Sequence, residues 1–192
     1  EQKKGGVIWD GLKTKPEDAA QYGASKNIAN TAMIYHAGKF LALQEGAHPF
    51  ELKLPNLDPV GEVDYEGRLK HPFTAHPKID PRTGELVTYG YNVTSKPYCS
   101  VSLITKAGEL IHTTDVDIPK PVMMHDCAIT SKHTVIMDLP CVFDFGRMAE
   151  GKSMLYFEEE NGSRFGVLAR GAEGDEIRWF DVDSCYCYHT VN

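Results

Sequence analysis

Short runs of β-prone residues recur along the whole chain, and residues typical of tight turns separate them. Runs of about four to eight such residues bounded by Gly, Asn, Asp or Pro predict antiparallel strands. The turn segments include 36–38, 82–85, 106–109 and 160–163. The predicted strands are 7–9, 32–35, 40–44, 86–91, 98–105, 122–130, 134–139, 153–157, 165–169, 177–182 and 185–191. A helical pattern is limited to 16–22, so the chain is predicted to be all-β.

Composition places the chain among soluble globular proteins with one substantial core. Of its 192 residues, 42% are hydrophobic and 24% are charged. The balance of 27 acidic against 20 basic residues gives a net charge of −7, with no basic stripe, so no nucleic-acid partner is expected. The chain starts at Glu1 rather than Met. The first residues therefore do not decide the location. We expect the cytoplasm, or a plastid if a transit peptide precedes the segment.

Five cysteines are scattered in strand-like runs, and an odd number favours reduced thiols over a disulfide framework. Cys185 and Cys187 form a C-x-C pair close to His189. Zinc sites more often use C-x2-C pairs, so thiolate ligation by these two residues is not favoured.

Three histidines lie in apolar or β-prone runs: His76 in FTAHPKIDP, His125 in VMMHDCAIT and His189 in CYCYHTVN. Neutral imidazole is a common metal ligand, although a single histidine in an apolar strand is more often a hydrogen-bonded core residue. The three are 49 and 64 residues apart, somewhat more than the 40–45 residues or so of a four-stranded propeller blade. A propeller would place one of them on the inner strand of each successive blade, while a sandwich or a barrel also fits the strand pattern.

The sequence around the other five histidines is easier to explain without a site, and His112 has no acidic or histidine neighbours. We expect them at the surface: His36 and His133 in turns, His48 and His71 before prolines, and His112 after a hairpin.

Five strings in order resemble motifs of the carotenoid cleavage dioxygenases, which are seven-bladed β-propellers that hold a non-haem Fe(II) with four histidines. The strings are NTAMIYHAGKFLALQEGAHPFEL, DYEGRLKHPFTAHPKIDPRTGELVTYGY, PVMMHDCAITSKHTVIMDLP, SRFGVLARG and IRWFDVDSCYCYHTVN. The resemblance extends over roughly 5–192, and the five strings lie within 30–192. The resemblance implies a partial seven-bladed propeller, about half of the ring, with residues 1–192 forming a single partial domain.

By the same resemblance, His76, His125 and His189 are iron ligands, and Glu45 is a glutamate that hydrogen-bonds a ligating histidine. A carboxylate in that role fixes the tautomer of the ring and raises its basicity. The fourth histidine and further glutamates are expected beyond Asn192, so the chain resembles an internal fragment that lacks blades at both ends. Such a fragment is expected neither to close the ring nor to be active alone.

The implied reaction is the oxidative cleavage of one conjugated C=C bond of a carotenoid or apocarotenoid by O2, which gives two carbonyl products. The motif sequences most resemble those of plant and algal enzymes that cut near the 9,10 position. Stilbene-cleaving relatives place a lysine before the glutamate that corresponds to Glu45, whereas this chain has Gln44, which cannot stabilise a phenolate by charge. A retinoid isomerase of the same family, a non-enzymatic ligand-binding propeller and a hydrolytic zinc site also fit the sequence.

A family substrate that is long and apolar must leave a membrane or a lipid droplet. The segment 139–145, followed by Met148, is the best local candidate for an apolar surface that touches the bilayer. The same residues also fit an ordinary buried strand and turn.

Overall fold

The computed structural model describes residues 27–191, and these residues form fourteen short strands. The strands are β1 (Ala32–His36), β2 (Lys39–Leu43), β3 (Phe50–Lys53), β4 (Asp58–Glu62), β5 (Lys78–Ile79), β6 (Leu86–Tyr91), β7 (Cys99–Ile104), β8 (Leu110–Val116), β9 (Ala128–Ile129), β10 (His133–Asp138), β11 (Cys141–Phe143), β12 (Leu155–Phe157), β13 (Ser163–Ala169) and β14 (Arg178–Val182). The helices found in 27–191 are three short 3₁₀ segments, Phe145–Glu150, Glu159–Asn161 and Gly174–Glu176. None of these helices has the length and apolar character that a membrane crossing requires. The predicted all-β class is confirmed.

Most of the strands belong to three four-stranded antiparallel sheets that follow one another along the chain. Their strand orders are β1-β2-β3-β4, then β5-β6-β7-β8, then β9-β10-β13-β14. The hairpin β11-β12 is a separate pair inserted between β10 and β13. Each sheet is thus a meander of four strands, the unit from which propeller blades are built, as the prediction of a partial propeller requires.

Two of the predicted turns have the backbone that the sequence indicates. Gly38 between β1 and β2 has φ 80°, and Gly108 between β7 and β8 has φ 88°. Both lie in the left-handed region, which glycine enters without the steric penalty of a Cβ. The turn chemistry therefore fixes the hairpins that the strand pattern predicts.

Adjacent sheets pack against each other through apolar faces. Leu43 of the first sheet and Leu86 of the second are fully buried in one cluster. Val101 of the second sheet and Ile136 of the third are buried in another. Burying one aliphatic side chain of this size stabilises a fold by about 1.5–3 kcal/mol. The contacts between sheets therefore hold the three meanders in sequence, and they position the segments that run between them.

Most of the strand predictions for the described residues are confirmed, with ends that move by one or two residues. The predictions for 122–130 and 185–191 are wrong over most of their length, because only Ala128–Ile129 of these residues is strand. Strands β3, β4, β5, β8 and β11 were not predicted. The predicted strand at 7–9 and helix at 16–22 lie outside the described residues.

The segment 122–127 explains the first error. Its chain is extended and burial alternates between Val122 and Asp126, which is the pattern of a strand. Its main-chain bonds to a neighbour are few: Val122 forms an isolated bridge with Val142, and the Met123 N–H donates to Cys141 O at 2.7 Å. A periodicity of two thus marks an extended path here without a ladder of hydrogen bonds.

Candidate metal centre

His76 lies two residues before β5, on a segment that the core anchors. Buried Phe73 and Ala75 precede it, and the Thr74 N–H donates to Tyr89 O of β6 at 2.7 Å. The Thr74 hydroxyl in turn accepts the His76 N–H at 3.0 Å. The backbone that carries His76 is therefore held to the second sheet before the strand begins.

His125 lies three residues before β9, in the corresponding place of the third sheet. Val122 and Met124 point into the core, so the side chain of His125 points the other way. The Tyr89 hydroxyl donates to Met124 O at 2.8 Å and fixes this part of the segment. The second and third sheets thus present one histidine each from the residues that lead into their first strand.

His189 lies beyond β14, in the segment that the sequence predicted to be a strand. The Cys185 N–H donates to the Ser163 hydroxyl at 2.8 Å, and the Tyr186 hydroxyl donates to Met123 O at 3.2 Å. Side chains of the third sheet and of the His125 segment therefore carry His189 to the other two histidines.

The three imidazoles converge on one point. Nε2 of His76 is 3.1 Å from Nε2 of His125, which is 3.2 Å from Nε2 of His189. All three ligand atoms lie within 4.8 Å of one another, and the rings meet edge to face. Separations of this size suit nitrogen ligands that share one cation at about 2.1 Å. The structure brings the three sequence-predicted histidines together in a geometry that can hold a metal.

The protonation of these rings favours the same interpretation. His125 Nδ1 faces a carboxylate oxygen of Glu45 in a buried contact, and within residues 27–191 each atom is the other's only polar partner. The Nδ1 of His125 therefore carries the proton, and its Nε2 presents a lone pair to the other two rings. Burial, followed by the proximity of His125, lowers the pKa of His76, which favours the neutral form of this ring near pH 7. Neutral imidazoles are the form that binds metals.

Glu45 follows β2, so the first sheet contributes to the centre through a carboxylate. Its other oxygen accepts the Tyr91 hydroxyl at 2.6 Å. Burial and the charge of Glu45 raise the pKa of Tyr91 far above its ordinary value, which keeps this hydroxyl a proton donor. Tyr91 therefore orients Glu45, and Glu45 in turn fixes the ring of His125 on the side away from the other two histidines. Gln44 beside it is turned to its own backbone, since its side-chain oxygen accepts the Gly46 N–H at 3.1 Å.

A second carboxylate, Asp126, is buried next to His125 with 2% of its surface exposed. It pairs with Lys78 at 2.8 Å and accepts the Thr190 N–H at 2.7 Å. Burial alone would raise its pKa, but hydrogen bonds from Lys78, Thr190 and Cys127 outweigh that effect and hold the pKa of Asp126 below its ordinary value. Neither this acid nor Tyr91 was predicted from the sequence, and the adjacency of Asp126 to His125 was the only signal.

The expectation that the other five histidines lie at the surface is wrong. His36 and His71 are buried, and the remaining three are partly buried. Each of the buried pair has a structural partner: His36 Nε2 contacts Gly84 O at 3.0 Å, and His71 Nε2 contacts the Ser102 hydroxyl at 2.7 Å. None of the five joins the metal cluster found in the described residues. Turn signals and prolines near a histidine thus do not predict its exposure.

Cys185 and Cys187 also lie outside the group of three ligand atoms, and Cys187 Sγ instead donates to His189 O at 3.1 Å.

The apolar segment 139–145 divides into two parts. Leu139 and Val142 are buried, as a strand in the core would be. Phe145 and Met148 are exposed by 47% and 52% on the short helix that follows. Within this segment the exposed apolar side chains therefore lie on the helix, and contact of the helix with a bilayer stays a prediction.

Comparison with known proteins gives consistent relatives. The family model described as retinal pigment epithelial membrane protein matches residues 1–192. Carotenoid 9,10(9',10')-cleavage dioxygenase 1 of Arabidopsis thaliana is 44% identical over 169 residues, which covers 85% of this chain and 31% of the relative.

Two solved structures are similar in fold. The lignostilbene dioxygenase of Pseudomonas brassicacearum has a TM-score of 0.74 and 34% identity, over 82% of this chain and 34% of its own. The cobalt-substituted apocarotenoid oxygenase of Synechocystis has a TM-score of 0.73 and 26% identity, over 85% of this chain and 36% of its own. The chain thus spans about a third of the length of the relatives that it matches.

Proposed function

The chain belongs to the retinal pigment epithelial membrane protein family, and from this membership we propose that the full-length protein is a non-haem Fe(II) dioxygenase of carotenoids or apocarotenoids. The reaction adds both atoms of O2 to one conjugated C=C bond, which breaks to give two carbonyl products. The observation that carries the proposal is the convergence of three imidazole Nε2 atoms, each delivered by a different segment of the chain.

The donor set fits iron in the ferrous state. Three neutral nitrogen ligands add no negative charge, and imidazole suits Fe, Zn, Cu and Ni alike, so the identity of the metal is supported by the family rather than by geometry. When bound, Fe(II) supplies the redox chemistry with O2, and the protein supplies the placement of the double bond and the exclusion of water.

The residues of this chain hold and orient the centre. His76, His125 and His189 direct their Nε2 atoms inward, and Glu45 keeps the His125 proton on Nδ1. Tyr188 lies edge-on to the His125 ring, with centroids 5.5 Å apart, and is 53% exposed. Its ring offers an apolar face beside the metal position, which suits a conjugated hydrocarbon better than a polar substrate.

A stilbene-type substrate is the second candidate, since the lignostilbene dioxygenase shares the fold at 34% identity. Gln44 argues against it, because a neutral amide bonded to its own backbone provides no positive charge for a phenolate. The proposal also includes a membrane or lipid droplet as the source of the substrate. The proposed location is the cytoplasm or a plastid.

The test uses the purified full-length protein under O2. We expect iron in about one-to-one ratio with protein, and two carbonyl products from β-carotene or an apocarotenal in chromatography with mass spectrometry. His125→Ala should abolish cleavage and strongly weaken iron binding, because it removes one of the nitrogen ligands of the metal. Cleavage of a hydroxystilbene alone would favour the second candidate, whereas zinc with no oxidative cleavage of any substrate would refute the dioxygenase.

A further inference from the structure

Asp126 has a fully occupied carboxylate. Its Oδ1 accepts the Lys78 ammonium at 2.8 Å and the Cys127 N–H at 2.8 Å. Its Oδ2 accepts the Thr190 N–H at 2.7 Å and lies 3.0 Å from the Thr190 hydroxyl, which is shared with Cys127 O at 2.9 Å. Both oxygens are thus occupied by hydrogen-bond donors, one of them the Lys78 ammonium, so Asp126 is not available as a metal ligand.

The positions of these partners in the chain are the informative feature. Lys78 follows His76 by two residues, Asp126 follows His125 directly, and Thr190 follows His189 directly. One carboxylate therefore ties together the three segments that carry the converging imidazoles. If Asp126 served only to pair with Lys78, its bonds to Cys127 and Thr190 would not be required.

The segment that carries His189 depends on this carboxylate more than the other two do. Within the described part of the chain, residues 183–191 form no hydrogen bond between main-chain groups. Their N–H groups bond instead to side chains: Cys185 to Ser163, and Thr190 to Asp126. The bond at Thr190 is the one adjacent to His189, so it sets where this ring lies.

We propose that Asp126 is a positioning residue, which holds the His189 backbone against the His76 and His125 segments so that the three Nε2 atoms meet. It acts through the histidines and does not touch the metal. The consequence for metal binding rests on the proposed function, whereas the consequence for the 183–191 backbone does not.

Asp126→Asn is the sharpest variant because it keeps the size of the side chain. An amide has one acceptor oxygen, so its NH2 group must face either the Lys78 ammonium or the Thr190 N–H as a donor against a donor. Thr190→Val removes the hydroxyl donor but keeps the N–H, so a smaller effect is expected. Asp138→Asn is the matched control, since Asp138 is also a buried acid of the third sheet and is bound by Arg164 at 2.7 Å.

In the full-length protein, Asp126→Asn should lower the affinity for Fe(II) by about 10–100-fold, the range typical of residues that orient metal ligands. The visible spectrum of the Co(II)-loaded variant should change towards that of His189→Ala, and adding Asp126→Asn to His189→Ala should reduce Co(II) affinity no further. A merely structural role would instead add its effect in the double variant. Equal metal affinity in Asp126→Asn and Asp138→Asn would overturn the proposal.

Hydrogen exchange of the metal-free protein gives a second readout. Peptides that cover 186–191 should lose the protection of the Thr190 amide in Asp126→Asn and keep it in Asp138→Asn. Unchanged exchange would also overturn the proposal, and it remains decisive if the wild-type protein takes up no iron. Failure of the proposed function, seen as no iron in the wild type, is thus distinguishable from failure of the role of Asp126.

Discussion

Glu45 places the proton on the outer nitrogen of His125 and so leaves the inner nitrogen free for a metal. Its own orientation depends on Tyr91, which donates to the carboxylate oxygen that His125 does not contact. Glu45 of the first sheet and Tyr91 of the second therefore determine the tautomer of His125, which leads into the third sheet.

Removing the Tyr91 hydroxyl tests this dependence. Tyr91→Phe leaves one oxygen of Glu45 without its donor, and an unpartnered buried group of this kind costs about 1–3 kcal/mol. We expect Fe(II) affinity of the full-length protein to fall about tenfold, at the low end of the range for residues behind a ligand. Metal titration against Tyr35→Phe, a control that is 61% exposed on β1, provides the measurement. Equal affinities of the two variants would contradict the role of Tyr91.

The residues of the site were predictable to different degrees. The three histidines could be predicted because core packing alone does not explain why three imidazoles occur in apolar runs. Glu45 was identified only through the family motif, since a glutamate at the end of a strand is usually solvated. Tyr91 and Asp126 were missed because their roles depend on contacts between residues 46 and 64 positions apart, which no local pattern reveals.

Among the strands, local pattern was reliable for hairpins and failed where an extended chain lacks a partner. Residues 86–91 and 98–105 are β-prone runs bounded by turn residues, and in the structure they pair as antiparallel strands. Residues 185–191 are also β-prone, but the N–H groups of Cys185 and Thr190 bond to side chains instead of a neighbouring strand. β4 was missed for the opposite reason, because Asp58, Pro59 and Gly61 are poor strand formers that pair at an edge.

The second and third sheets are also joined by a charged contact near β5. Asp80 is buried and accepts hydrogen bonds from Arg82 and from Arg170, which follows β13. Arg170 also donates to Thr130 O beside β9. Hydrogen bonds from Arg82 first, and then from Arg170, hold the pKa of Asp80 far below its ordinary value of 3.8.

This contact predicts a pH-dependent effect of Asp80→Asn. A carboxyl whose pKa is lower in the folded state stabilises the fold above its unfolded pKa, and that stabilisation is lost as the pH falls through the folded value. The variant should therefore unfold at lower urea than the wild type at pH 7 and pH 5, and the difference should shrink below about pH 4. Circular dichroism of the full-length protein measures the midpoints. Asp117→Asn, at an 86% exposed acid, is the control; a deficit independent of pH would refute the argument.

On the scale of the whole molecule, exposed apolar side chains occur on several elements of the described chain, and one of these elements is the first 3₁₀ helix. The helix Phe145–Glu150 exposes Phe145 and Met148, next to a hairpin whose strands are partly buried. Phe143 stacks between Tyr91 and Phe145, so it belongs to the interior as well as to this surface.

If this helix contacts the bilayer, replacing Phe145 and Met148 by Ser should weaken the association of the full-length protein with liposomes. Each exposed apolar side chain contributes part of the 1.5–3 kcal/mol or so that full burial provides, so partitioning should fall about tenfold. Sedimentation with lipid vesicles measures it. Phe180→Ser, at a residue 48% exposed on β14, is the matched control. Unchanged partitioning of the double variant would exclude the helix as the contact.

The histidines 76, 125 and 189 come from segments that are far apart along the chain, and this has a consequence for biosynthesis. A ribosome releases the first donor more than a hundred residues before the third. A metal bound at the proposed centre would therefore find His76 available first, then His125, and only later His189. If the proposed centre binds iron, its loading should therefore follow the assembly of the second and third sheets.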